Sequence, residues 1–147
     1  MIEKENCRKI AKLSYLAGIV DGEGTIMIQR YKDGGGYGLI LSIGNSNFEV
    51  LQWIQERYGG NIVGPTHVNE GNRKPMYTWA LYGENARRLI KKLIGTLIIK
   101  KLQAEIAEEF WIKYSTLSKH YTRSRRPKWL VERGRGYHEQ MRQANHR

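Results

Sequence analysis

The stretch Leu16-Ala17-Gly18-Ile19-Val20-Asp21-Gly22-Glu23-Gly24 limits what this chain can become more than any other part of it. It begins inside a helical pattern. Ile10, Leu13, Ala17 and Val20 recur at helical spacing, which predicts a helix over 6–21. Gly22 and Gly24 stop that helix. Strand-like alternation starts at once in Thr25-Ile26-Met27-Ile28-Gln29-Arg30-Tyr31. Ala17 and Gly18 sit mid-helix, where glycine costs about 1 kcal/mol against alanine. A small face there lets another backbone approach closely. The helix end presents unpaired carbonyls and the negative pole of the helix dipole. Glu23 lies beside that pole with no cationic residue within three positions. Carbonyl oxygens next to a carboxylate form a hard, oxygen-rich site that suits Mg2+.

The remainder of the chain reads as two hairpins with helices between them. Asp33-Gly34-Gly35-Gly36 is a turn signal, and a second strand is expected over 37–44. A helix fits 48–58, with Asn47 as its N-cap and Gly59-Gly60 as its stop. Strands are expected over 62–68 and 76–82, around the polar loop 69–75. Helices are expected over 84–93 and 98–114, and a final helix over 130–145 is weakened by Gly134 and Gly136. The order predicts an α+β fold: one antiparallel four-stranded sheet with helices packed on one face. The other sheet face is left for solvent or a ligand.

Charge narrows the ligand. The 147 residues carry 25 Lys/Arg against 14 Asp/Glu, a formal net charge of +11. That balance points to a polyanion, nucleic acid or an anionic membrane. The excess is uneven: residues 1–112 are close to balanced at +3, whereas 113–147 carry +8. This suggests a core domain over 1–112 and a basic C-terminal extension over 113–147, entered through the Ser-Arg-Arg-Pro-Lys stretch at 124–128. A single cysteine, Cys7, and four widely spaced histidines leave no zinc finger to build. No secretory leader and no apolar run of membrane-spanning length is read, so an intracellular location without membrane insertion is expected.

The nine-residue string resembles the signature of the LAGLIDADG homing endonucleases, in which Asp-Gly-Glu-Gly is a common ending. Leu39-Ile40-Leu41-Ser42-Ile43-Gly44-Asn45 and residues 51–60 resemble the family's second strand and following helix. Tyr77-Thr78-Trp79-Ala80-Leu81-Tyr82-Gly83 is similar to its fourth strand. Ile99-Lys100-Lys101-Leu102-Gln103-Ala104 is similar to its Lys-x-x-Gln-Ala segment. The resemblance covers roughly 13–112 and implies the αββαββα fold, with the sheet laid on duplex DNA.

A single motif copy implies a homodimer whose motif helices pack across a twofold axis. Leu16, Ala17, Gly18, Ile19 and Asp21 are then the expected interface. The implied activity is site-specific hydrolysis of both strands of a long, roughly palindromic duplex, leaving short 3′ overhangs and using Mg2+ or Mn2+. Glu23 would bind metal with the Gly22 carbonyl. Lys100 would stabilise charge near the scissile phosphate, and Asn45 would position water. No small-molecule cofactor is implied.

Alternation assigns the DNA-facing side chains. If Ile26 and Ile28 face the helices, then Met27, Gln29, Tyr31, Ile40, Ser42 and Thr78 face DNA, along with Met76 and Ala80. That face is poor in cations. Lys32, His67, Arg73 and Lys74 at loop ends, and Arg123, Arg125, Arg126 and Lys128 in the extension, are the expected phosphate contacts. The competing reading is a LAGLIDADG-type protein that binds nucleic acid without cutting it, such as an intron maturase or a regulator. A basic structural protein would explain the charge but not Asp-Gly-Glu-Gly.

Overall fold

The computed structural model describes residues 1–32 and 34–147. Asp33, part of the predicted turn, lies outside the described residues. The motif helix α1 runs Ile2–Glu23, and β1 (Gly24–Arg30) leaves it with no intervening loop. Then come β2 (Tyr37–Asn45), α2 (Phe48–Tyr58), β3 (Asn61–Thr66), β4 (Met76–Tyr82), α3 (Gly83–Leu93) and α4 (Lys101–Phe110). A π-helical turn, Trp111–Ser115, and two short turns lead to a last helix, α5 (Lys128–Asn145).

The strands form one antiparallel sheet in the order β1-β2-β4-β3. Pairing sets Met27 opposite Ile40, Thr25 opposite Ser42, and Ser42 opposite Ala80. Directly opposed residues share a face, so Thr25, Met27, Gln29, Ile40, Ser42, Thr78 and Ala80 lie on one side. The other side carries Ile26, Ile28, Leu39, Leu41, Ile43, Trp79 and Leu81, all buried in the core under the helices. Asn47 caps α2 by accepting from the Val50 amide at 3.2 Å. The Trp79 indole donates to the Gly59 carbonyl at 2.8 Å, tying the end of α2 to the centre of β4. Arg87 of α3 grips Glu108 of α4 with two hydrogen bonds, at 2.8 and 3.1 Å.

The basic segment after residue 112 does not hang free. Leu130, Tyr137, Met141 and Ala144 of α5 join the hydrophobic core. Gly134 is what lets the helix close in: a Cβ there would stand 2.5 Å from the Tyr37 ring and 2.6 Å from the Tyr114 ring. The glycine that weakens the helix on propensity is therefore the one its packing requires. Tyr114 in turn accepts from the Tyr37 amide at 3.1 Å, fixing the start of β2. Along the free edge of β1, His138 Nδ1 donates to the Ile28 carbonyl at 2.6 Å and Asn145 Nδ2 to the Ile26 carbonyl at 2.9 Å. A carbonyl can only accept, so the hydrogen of His138 sits on Nδ1. Among the described residues no helix is long and apolar enough to cross a membrane.

Candidate active site and nucleic-acid interface

The end of α1 is the candidate site. Gly22 and Glu23 are exposed in its last turn, and Asn45 arrives beside them at the end of β2. The Asn45 side-chain amide donates to the Glu23 carboxylate. Its own carbonyl oxygen accepts from the Asn47 amide at 2.8 Å, which sets the orientation of the Asn45 amide. These groups line an open concavity of about 680 Å³ with Ser14, Tyr15, Gly18, Ile19, Asn47 and Val50. Its lining offers the Glu23 carboxylate beside the Gly22 backbone, oxygen donors of the kind a hard divalent ion prefers. No cluster of three or more His, Cys, Asp or Glu side chains occurs among the described residues. One chain brings a single carboxylate to this place.

Asp21, two residues earlier, does something else. Its carboxylate accepts from the backbone amides of Ile98, Ile99 and Lys100 at 2.8, 3.1 and 2.9 Å. Burial pushes the Asp21 carboxyl up, but those three donors and the nearby Lys100 charge outweigh it, leaving it below its ordinary value. The Lys100 ammonium reaches back to the Asp21 carbonyl at 3.4 Å. Asp21 thus holds Lys100 at the same helix end as Glu23.

The interface residues expected from the sequence divide in two. Leu16 and Ala17 point into the chain's own core, at 0% and 1% exposure, which removes their side chains from any exposed face. The Asp21 carboxylate is likewise engaged within its own chain. Gly18 and Ile19 remain on the open side with Tyr15, and a Cβ on Gly18 would meet nothing within 4 Å.

On the sheet, Thr25, Met27, Gln29, Ile40, Ser42, Thr78 and Ala80 floor a groove of about 700 Å³. Met27 and Gln29 are exposed, and Ser42 and Thr78 half-buried. Ile40 lies on the expected face but is only 7% exposed, sunk opposite Met27, so it forms floor rather than a contact surface. Tyr31 falls beyond β1, its hydroxyl over Gly38, where a Cβ would clash at 2.0 Å. Arg142 of α5 and His146 just beyond its end form one wall of the groove, a placement the sequence reading missed. The available signal was the helical stripe Tyr137, Met141, Ala144, whose flanks carry His138, Arg142 and Asn145.

Lys32 and Lys74 are exposed near the two hairpin turns. His67 and Arg73 both engage Glu70, at 2.6 and 3.1 Å, which orders the β3–β4 loop. Arg123, Arg125 and Lys128 are exposed, but Arg126 is not a free phosphate contact. Its Nε donates to the Ser118 hydroxyl at 2.7 Å, and its guanidinium is turned inward beside Gly36.

This sheet with its motif helix is the fold of the LAGLIDADG homing endonucleases. I-CvuI, solved with DNA in the presence of Mg, superposes with a TM-score of 0.72 at 16% identity, over 93% of this chain and 83% of its own. I-Vdi141I, an archaeal intron-encoded homing endonuclease complexed with DNA, gives 0.71 at 20% identity, over 92% and 85%. I-SmaMI, bound to uncleaved DNA with calcium, gives 0.62 at 17% identity; the match covers 88% of this chain but only 42% of that one. No protein-family model matches the sequence. No curated protein does so either.

Proposed function

We propose that this chain is a metal-dependent, site-specific DNA endonuclease that acts as a homodimer on a long, roughly palindromic duplex inside the cell. The observation that carries the proposal is the lone Glu23 carboxylate, held by Asn45 at the glycine-ended terminus of α1, on a face left open by Gly18. That face abuts a concave sheet whose floor is uncharged and whose wall and rims are basic. Three neighbours of the same fold were solved on DNA, two of them with Mg or calcium.

Glu23 and the Gly22 carbonyl would hold Mg2+ or Mn2+, which supplies an acidified water and charge neutralisation at the leaving oxygen. Asn45 orients the Glu23 carboxylate. Lys100, held by Asp21, offers its ammonium to the phosphate. Packing two copies through Gly18 and Ile19 brings a second Glu23 to the first, one acid for each strand. A chain that spans 42% of I-SmaMI is consistent with supplying one of two such units. Residues 1–112 form the catalytic unit, and 113–147 add a basic flank.

The test is selection of cut sites from a randomised palindromic duplex library with Mg2+, against the same library with EDTA. Glu23→Gln should keep DNA binding and lower cleavage by orders of magnitude. If the wild-type chain selects a bound sequence yet cuts none of it with either metal, the protein is a non-cleaving DNA binder and the nuclease reading fails.

A further inference from the structure

A second basic site lies among the helices and shares no lining residue with the sheet groove or with the concavity beside Glu23. Lys9, Lys12 and Leu13 of α1, Arg57 and Tyr58 at the end of α2, and Lys92 at the end of α3 enclose a recess of about 380 Å³. Four of its six lining residues are cations, contributed by three separate helices. One acid is paired there: Glu5 meets Lys9 at 3.3 Å. The Arg57 guanidinium is already fixed, stacked 4.4 Å over the Trp53 ring and donating to the Trp53 carbonyl at 3.1 Å.

Arg57 and Lys92 have a local reason to be where they are, since both lie in the last turn of a helix. Lys9 has one too, its pairing with Glu5 one turn earlier; Lys12 has neither. Lys9 and Lys12 are three apart on one helix face, where like charges repel. Both are exposed and line the recess together with the two helix-end cations. Four positive charges around one recess attract an anion. Leu13 and the half-buried Tyr58 add an apolar, aromatic floor between the charges.

We infer that this recess binds single-stranded nucleic acid, with phosphodiester oxygens on Lys9, Lys12, Arg57 and Lys92 and an unstacked base against Tyr58. Cations interleaved with an aromatic ring bind single strands in this way, because every base has a π-face and duplex bases hide theirs. The recess shares no lining residue with the sheet groove. The inference is therefore independent of the nuclease reading.

The experiment measures binding of short fluorescent oligouridylate and oligothymidylate, both single-stranded, to the full chain and to Lys12→Ala/Lys92→Ala. Both lysines are exposed, so the thermal midpoint should not move. Each phosphate contact to a single strand contributes about 0.7 to the salt slope. Losing two should flatten the slope by about 1.4 and weaken binding about 25-fold near 0.1 M salt. Lys12→Arg/Lys92→Arg should restore it, and affinity for duplex should stay within about twofold. Preference between the two oligonucleotides decides whether the natural strand is RNA or DNA. The inference fails if affinity for both single strands is unchanged in the alanine variant, or if duplex binding falls by the same factor. It also fails if a polyaspartate peptide binds as tightly as oligouridylate. A protein that binds no duplex yet shows the single-strand effect would fail the sheet reading and leave this one standing.

Discussion

Asp21→Ala tests whether the motif helix is wired to the segment that carries Lys100. The carboxylate accepts three main-chain N–H groups, from Ile98, Ile99 and Lys100. A hydrogen bond to a charged group contributes about 1.5–3 kcal/mol when both partners would otherwise stay dry. Ile98 and Ile99 are exposed, at 84% and 68%, so water recovers most of what their amides lose. Lys100 is half-buried and recovers less. One bond near full value and two strongly discounted ones give a loss of roughly 2–3 kcal/mol. For a chain of this size that is a fall of about 4–12 °C in Tm. Asp21→Asn keeps one acceptor oxygen without the charge and should lose about half as much. Urea unfolding followed by tryptophan fluorescence gives the free energy. Amide hydrogen exchange gives the location, because protection should fall at 98–100 before it falls elsewhere. An Asp21→Ala protein within about 0.5 kcal/mol of wild type, or one whose amides at 98–100 exchange at the original rate, would refute the wiring.

Three further outcomes follow from the packing. A Cβ on Gly18 meets no atom of its own chain within 4 Å, so Gly18→Leu should leave monomer stability within about 1 kcal/mol, the helix-propensity gain of replacing glycine. It should shift sedimentation from dimer toward monomer and reduce cleavage with it. Gly134→Ala drives a methyl into the Tyr37 and Tyr114 rings, and should lower stability by about 1–3 kcal/mol in urea unfolding despite alanine's better helix propensity. Arg125→Ala/Lys128→Ala should flatten the salt slope of duplex binding by about 1.8 per subunit with no change in Tm, whereas Arg126→Ala should lower Tm because its Nε bond to Ser118 is lost.

The sheet and its helices were legible because their signals are local. Alternation in β1, β2 and β4 placed the right side chains inward, and Asn47 marked the start of α2. Exposure was harder to read than direction. Ile40 shares a face with Met27 but is buried, in a groove that α5 helps to wall from about a hundred residues further along the chain. The small residues of the motif invited one reading for both Ala17 and Gly18; the helix turns about 100° per residue, and that turn puts one in the core and the other at the surface. Asp21 looked like a helix terminus because its three partners lie 77–79 residues away. The basic segment looked like a tail because its charges outnumber its apolar residues. Yet Leu130, Tyr137, Met141 and Ala144 suffice to dock it.

The His138 and Asn145 bonds to the outer rim of β1 bear on how the molecule behaves in a crowd of its own kind. A sheet ends in two rows of unsatisfied peptide groups, each able to recruit a strand from another chain and so to seed polymer. On one rim the side chains of α5 occupy the Ile28 and Ile26 carbonyls. On the other, Pro65 offers no N–H, and pairing in β3 is irregular between Val63 and Thr66. Two copies are left to meet through helices. Trimming the last helix would expose the first rim, and the expected product is filamentous aggregate rather than a soluble monomer, visible as a concentration-dependent rise in light scattering and thioflavin fluorescence.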